Sequence, residues 1–193
     1  MNFVQPIRDI DKVVDVQEFL ASKNKRDELL FCFGIYTGLR ISDILRVKKS
    51  DVYNKDVFYI TEMKTKKTRK KSRTVMSKTR VIIVPELKKM IRAYGQELKD
   101  DEYLFKSRQG KNKPITRVRA YDILREAAFA CGLSEIGTHT LRKTFGYHIY
   151  MDSKNVALLQ DIFGHSSEHI TLRYIGVNQE AKDNARRKLR FKR

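Results

Sequence analysis

Two short runs in the last third of the chain combine residue types able to act on a phosphate ester. The first is G-T-H-T-L-R-K-T-F-G-Y-H, from Gly137 to His148; the second is F-G-H-S-S-E-H-I-T-L-R-Y, from Phe163 to Tyr174. In the first, Thr138 is placed to cap a helix, and Leu141, Phe145 and Ile149 follow at apolar helical positions. His139 and Arg142 then fall three apart, on one face of the first turn. A helix N-terminus attracts anions through its N–H groups and dipole, and a guanidinium added there can engage two phosphate oxygens at once. In the second run Gly164 ends a helix, His165 follows in the turn, and Ser166 can cap a short helix ending at Arg173 and Tyr174. Composition alone does not single out Tyr174 among nine tyrosines, since a tyrosine closing an amphipathic helix ordinarily packs in a core.

The elements upstream must position these residues. Residues 11–23 read as a helix through Val13, Val14, Val16, Phe19 and Leu20, and Lys25 to Thr37 as a second through Leu29, Leu30, Phe33 and Tyr36, closed by Gly38. Ser42 is placed to cap a third, with Ile41, Ile44, Leu45 and Val47 towards the core. Arg40 thus sits in a tight turn between packed helices, an anchored place for a functional arginine; the plainer alternative is a side chain capping helix carbonyls. Asp43 lies in the first turn of its helix, where the dipole favours a carboxylate.

Residues 55–61 and 80–84 are β-branched and aromatic and read as strands, with Val75 and Met76 extending the second. Residues 64–80 between them hold nine basic residues and no acid. Set between two strands, this run is a hairpin tip that reaches a phosphate backbone, with Lys66, Lys67, Arg69, Lys70, Lys71 and Arg73 as candidate contacts. Pro85 opens a helix ending near Leu98. A second basic tract, residues 106–119, has six Lys/Arg and no acid and runs into a helix from about Thr116 to Cys131. Lys111, Lys113 and Arg117 at that junction are either nucleic-acid contacts or a solvated loop. Helices at 139–151, 155–163 and 167–173 follow, and the tail from Lys182 to Arg193 has seven basic residues against one acid.

The formal net charge, 41 − 23 = +18 over 193 residues, implies a polyanionic partner, nucleic acid before membrane. No apolar run is long enough to span a bilayer, and the opening M-N-F-V-Q-P-I-R-D lacks a signal-peptide shape. Cys32 and Cys131 are far apart and read as buried free thiols, and nothing has a zinc or iron–sulfur spacing. A reducing setting fits: cytoplasmic, in a bacterial nucleoid or a phage-infected cell.

Together, H-x-x-R at His139 and Arg142, G-H at Gly164 and His165, R-Y at Arg173 and Tyr174, and T-G-L-R-I-S-D from Thr37 to Asp43 resemble the catalytic domain of the tyrosine recombinase (phage integrase) family. The resemblance covers roughly residues 25–180, in the family's order and spacing. It implies an α+β fold, mainly α-helical, with a small antiparallel β-hairpin. The chain then divides into a short N-terminal segment (1–24), the catalytic domain (25–180) and a basic tail (181–193).

The resemblance further implies an enzyme that cleaves and rejoins DNA through a covalent 3′-phosphotyrosine, with no metal, no cofactor and no ATP. Tyr174 is then the nucleophile, and Arg40 and Arg142 neutralise the phosphate. His139 and His165 supply hydrogen bonds, either one able to take the nucleophile's proton, and Asp43 supports the arginine cluster. A hairpin lysine protonates the departing 5′-oxygen; context points to Lys64, with Lys66 and Lys67 as rivals. A free phenol has a pKa near ~10, and an arginine-rich pocket is expected to favour the phenolate. His148 and His169 match no family position and read as structural or surface residues. The implied partners are double-stranded DNA, a homo-oligomer (tetramer) on DNA, and an accessory DNA-bending or directionality factor; no membrane is implied. Only some 24 residues precede the family-like region, where full-length members carry a helical DNA-clamping domain, so the chain is either a piece or a naturally short member. The competing readings are a recombinase-like DNA-binding regulator with little catalysis, and a relaxing or resolving enzyme sharing the chemistry.

Overall fold

The computed structural model describes residues 4–67 and 72–189, with the side chains of 62–77 and 185 outside the description. The elements run α1 (Ile10–Lys23), α2 (Lys25–Thr37), α3 (Ile41–Ile44), α4 (Lys49–Val52), β1 (Val57–Lys67), β2 (Ser72–Ile82), α5 (Pro85–Gly95), α6 (Arg117–Ala130), α7 (Thr138–Ser153), α8 (Val156–Phe163), α9 (Glu168–Tyr174) and α10 (Val177–Lys188). The fold is thus α+β and mainly helical, with one two-stranded antiparallel sheet among the described residues.

Helix α2 is the axis. Its run Leu29-Leu30-Phe31-Cys32-Phe33 is apolar all round and wholly buried, as a helix packed on several sides must be. It packs against α1, α5 and α7, and Phe33 makes aromatic contacts with Phe58 of β1 and Phe105, centroids 5.8 and 5.6 Å apart. Burial pushes the Cys32 thiol up to about 12, an inert core residue. Cys131, expected buried, is half-exposed at the C-cap of α6, because the helix ends there on its solvent side. Two glycines let α7 come close: a Cβ on Gly34 falls 2.4 Å from Leu141, and one on Gly146 falls 2.6 Å from Phe163. A second apolar cluster of Tyr147, Leu159, Phe163 and Ile175 packs beneath the C-terminal helices.

The strands are far longer than composition suggests. The ladder runs from Val57 opposite Ile82 to Lys67 opposite Ser72. Phe58, Ile60 and Val81 face the core, while Tyr59 and Ile82 face solvent, the period-2 alternation of a half-buried sheet. The Thr- and Val-containing part of the basic tract continues this pairing (Thr65 opposite Thr74, Lys64 opposite Val75), which composition had concealed as a loop. Helix α5 ends at Gly95, short of Leu98.

The tail holds a further difference. Helix α10 runs from the end of the expected catalytic domain into the basic tail and packs on its own chain: Tyr147 Oη donates to Glu180 Oε1 at 3.3 Å, and Arg8 Nε lies 3.5 Å from Glu180 Oε2. Residues 4–8 lie alongside α7, with the Ile7 N–H donating to Thr144 Oγ1 at 2.9 Å and Lys143 Nζ donating to the Val4 carbonyl at 2.6 Å.

The α2–α7 contact makes a prediction in which two effects oppose each other. Gly34→Ala gains up to about 1 kcal/mol of helix propensity, but its methyl meets Leu141 Cβ at 2.8 Å, and such overpacking costs about 1–3 kcal/mol. Net destabilisation in urea unfolding is the expected outcome; a net gain would show that the two helices are not pressed together.

Candidate active site

The site assembles at three chain turns. Gly38, in the left-handed region (φ 63°), closes α2, its N–H donating to the Gly34 carbonyl at 3.0 Å. Arg40 is the N-cap of α3, in extended conformation (φ −71°, ψ 143°), and is half-buried. Ser42, expected to cap, lies inside the helix and is exposed, since the tight turn after Gly38 starts α3 two residues early, with Arg40 as its N-cap. At the second turn Gly137, not Thr138, is the N-cap of α7, and its N–H donates to Thr140 Oγ1 at 3.1 Å. His139 is therefore at the second helical position, exposed, with Arg142 one turn deeper. At the third, Gly164 (φ 62°) closes α8 and His165 follows, its N–H donating to the Gln160 carbonyl at 3.0 Å. Ser167 rather than Ser166 caps α9, accepting from the Ile170 N–H.

Arg142 ties these turns together. It is 4% exposed. Nη1 donates to the Gly38 carbonyl at 2.6 Å and Nη2 to the Phe163 carbonyl at 3.3 Å. Its guanidinium carbon lies 4.4 Å from the Phe163 ring centroid, a cation–π contact. The same guanidinium is within hydrogen-bonding reach of the Tyr174 phenol, at the last residue of α9.

Tyr174 is wedged edge-on between Phe163 and His165, centroids at 5.5 and 5.1 Å. Its hydroxyl lies 3.4 Å from His139 Nδ1, a long hydrogen bond. Burial raises the phenol's pKa above 10.0, and the Arg142 and Arg40 charges only partly offset this. The expectation that the arginines would favour a phenolate is therefore reversed in the unliganded protein: desolvation of the anion wins. His139 is shifted the other way. Desolvation, then the positive charges of Lys143, Arg142 and Arg40, lower its pKa below 6.5. At neutral pH the pair is thus phenol and neutral imidazole, a donor facing an acceptor.

His165 is held by a residue the motifs did not point to. Its Nδ1 lies 3.0 Å from Oγ1 of the fully buried Thr171, and that hydroxyl donates to the Ser167 carbonyl at 3.2 Å. With the hydroxyl proton spent there, the network assigns the imidazole proton to Nδ1 and leaves Nε2 as the ring's acceptor. Lys143 was also missed: Nζ lies 5.3 Å from the Tyr174 ring centroid, and burial, then Arg8, lowers its pKa. His148 bonds the Ile7 carbonyl at 3.0 Å, and His169 is exposed, in keeping with structural and surface roles.

Asp43 is 2% exposed, and its Oδ1 accepts from Arg46 Nη2 at 2.7 Å. Lys64 is placed in the ladder opposite Val75, Lys66 opposite Arg73 and Lys67 opposite Ser72, their side chains being outside the description. Arg69, Lys70 and Lys71 lie outside the described residues. Lys111, Lys113 and Arg117 are exposed in and beyond a turn closed by the Ser107 N–H and the Lys113 carbonyl, at 2.7 Å. Arg40, His139, Arg142, His165 and Tyr174 are therefore brought together across 174 − 40 = 134 residues of sequence. Among the described residues no helix is long and apolar enough to cross a membrane.

Comparisons with known proteins bear on the family and the fold. The pattern of the Phage integrase family matches residues 8–181. The "Probable integrase/recombinase YoeC" of Bacillus subtilis (strain 168) is 53% identical over 180 residues, covering 93% of each chain. A "Tyrosine recombinase" of Pseudothermotoga lettingae is 34% identical over 179 residues, covering 91% of this chain and 58% of that protein. Among solved structures, the XerA recombinase superposes with a TM-score of 0.68 at 22% identity, covering 97% of this chain and 67% of that one. The catalytic domain of bacteriophage HP1 integrase gives 0.58 at 19% identity, with 89% and 86% covered. At such identities the structures speak for the fold.

The His139 shift has a checkable sign. A lowered pKa keeps the ring neutral, and therefore a base, until the pH falls through that lowered value. NMR titration of the free protein is expected to give a midpoint below 6.5, moved upward in Lys143→Met by removal of one neighbouring positive charge. A midpoint above 6.5 would contradict the assignment.

Proposed function

The chain belongs to the phage integrase family, and on that premise we propose that it is a site-specific DNA recombinase whose nucleophile is Tyr174. The observation that carries this reading is the Tyr174 phenol lying against His139 Nδ1 at 3.4 Å within reach of the Arg142 guanidinium.

A phosphodiester resists attack because its anionic oxygens repel nucleophiles and its alkoxide is a poor leaving group. Arg40 and Arg142 bind the two non-bridging oxygens and offset the charge that builds on them. His165 donates to the same oxygens from Nε2 when that nitrogen is protonated. The phenol oxygen of Tyr174 attacks phosphorus and passes its proton to His139 Nδ1 as the new P–O bond forms. The bond from phosphorus to the 5′-oxygen breaks, and that oxygen takes a proton from Lys64. The products are a 3′-phosphotyrosine and a free 5′-hydroxyl. Rejoining is the reverse with a different 5′-hydroxyl; the ester conserves the bond energy, so no ATP is consumed.

Double-stranded DNA is the partner that a charge of +18 suits. Lys66, Lys67, Arg69, Lys70, Lys71 and Arg73 of the hairpin, with Lys111, Lys113 and Arg117 before and at the start of α6, contact its backbone. Exchange between two duplexes requires several protomers, so we assign a homo-tetramer on DNA, with an accessory DNA-bending or directionality factor setting the outcome. Asp43 supports the site through the arginines near it. The catalytic unit spans 25–180, with residues 1–24 and 181–193 flanking it.

The test is covalent trapping. The protein is incubated with nicked and fragmented DNA, denatured and nuclease-digested, and the tyrosine peptides are read by mass spectrometry. The expected result is a nucleotide adduct on Tyr174 that is absent from Tyr174→Phe. Tight DNA binding with no adduct on any topology would instead make the chain a recombinase-like regulator. Affinity for DNA is expected to fall by at least about tenfold between low and physiological salt, as release of several counterions requires; a flat response would contradict the proposed backbone grip.

A further inference from the structure

The proposed chemistry needs two groups on separate elements to meet one phosphate: Arg40, at the start of α3, and Lys64, in the hairpin. The sheet is rooted in the core by Phe58, Ile60 and Val81, and beyond these β1 runs outward. With only two strands in the described sheet, β1 has an outer edge whose carbonyls need partners from elsewhere. At Thr61, the residue after this root, the partner is Arg46. Its Nη2 donates to the Thr61 carbonyl at 2.7 Å and also to Asp43 Oδ1 at 2.7 Å. The Asp43 side chain is 3% exposed, whereas that of Arg46 is 43% exposed.

Arg46 thus joins two places with direct bearing on the site. Asp43 lies three residues after Arg40, and Thr61 three residues before Lys64. A strand rises about 3.3 Å per residue, so the tie is about 10 Å along β1 from Lys64. We propose that Arg46 is a positioning residue for the general acid: it pins the edge of β1 to the helix that Arg40 caps, and so fixes where Lys64 falls relative to the phosphate. Buried Asp43 holds the guanidinium in place for that task. The inference deepens the proposed function and rests on its assignment of Lys64. Because Asp43 is buried, loss of Arg46 takes a partner from a desolvated carboxylate and is expected to lower stability as well as loosen the hairpin, so the readout must be one that general destabilisation does not reproduce.

Leaving-group substitution separates this from a general structural role. DNA carrying sulfur in place of the bridging 5′-oxygen releases a thiolate, which needs no proton, so a defect in general-acid catalysis disappears on it. The substrate is the fragment on which the Tyr174 adduct is trapped, made in oxygen and sulfur forms. Single-turnover cleavage is measured for the unaltered protein, Lys64→Ala and Arg46→Ala. General acids contribute about 10²- to 10⁴-fold. Arg46→Ala is expected to slow the oxygen substrate by about tenfold or more, within that range, and to come within about threefold of the unaltered protein on the sulfur substrate, following Lys64→Ala. Equal slowing on both substrates, with Lys64→Ala still rescued by sulfur, would overturn the Arg46 assignment alone. Failure of sulfur to rescue Lys64→Ala would overturn the general-acid assignment and this inference with it.

Discussion

One buried guanidinium is the constraint on which the site depends. Arg142 is held by the carbonyl at the end of α2, by the carbonyl at the end of α8 and by the face of Phe163, and it reaches the phenol at the end of α9. Burying a charge is costly without compensation. Among its partners here are two carbonyls and a ring, dipolar and quadrupolar groups that orient the guanidinium. The result is a positive charge fixed in direction. Because the carbonyls belong to the turns that carry Arg40 and His165, the same contacts set the spacing of the other candidate residues. Gly34 and Gly146 matter for the same reason, since they let α7 lie close enough for Arg142 to reach both turns.

The electrostatics divide the labour in a way that suits a reversible reaction. Burial keeps Tyr174 a neutral phenol, while desolvation and the neighbouring cations together keep His139 a neutral base. On the proposed mechanism a bound phosphate adds negative charge beside the arginines. In the proposed reaction the nucleophile is activated by transfer of its proton to His139 as it attacks, rather than by standing ready as an anion. A permanently ionised tyrosine beside two arginines would instead bind them itself and compete with the phosphate.

Much of the site was legible because its residues sit in local patterns. Gly38 and Gly164 announce left-handed helix ends, His139 and Arg142 share a helix face, and Tyr174 closes a short helix. The caps expected at Thr138 and Ser166 lie one residue away, and the one expected at Ser42 two residues away, because several adjacent residues can serve and tertiary packing chooses among them. The long hairpin was hidden because a Lys- and Arg-rich tract reads as a loop until its partner strand is known. Helix α10 was hidden because it is mostly polar and is held by Tyr147 and Arg8, far away in sequence. Thr171, Lys143 and Arg46 act through contacts that no spacing encodes, and the direction of the Tyr174 shift depends on burial, which charge counting omits.

If the Arg142 contacts organise the site as proposed, the pocket is shaped around one phosphodiester. The most direct measurement is a crystal structure of Tyr174→Phe bound to uncleaved DNA. The account predicts the scissile phosphate with its non-bridging oxygens within about 3 Å of the Arg40 and Arg142 guanidinium groups, and Arg142 still bonded to the Gly38 and Phe163 carbonyls. A phosphate seated elsewhere, or an Arg142 that has left both carbonyls to reach it, would contradict the account.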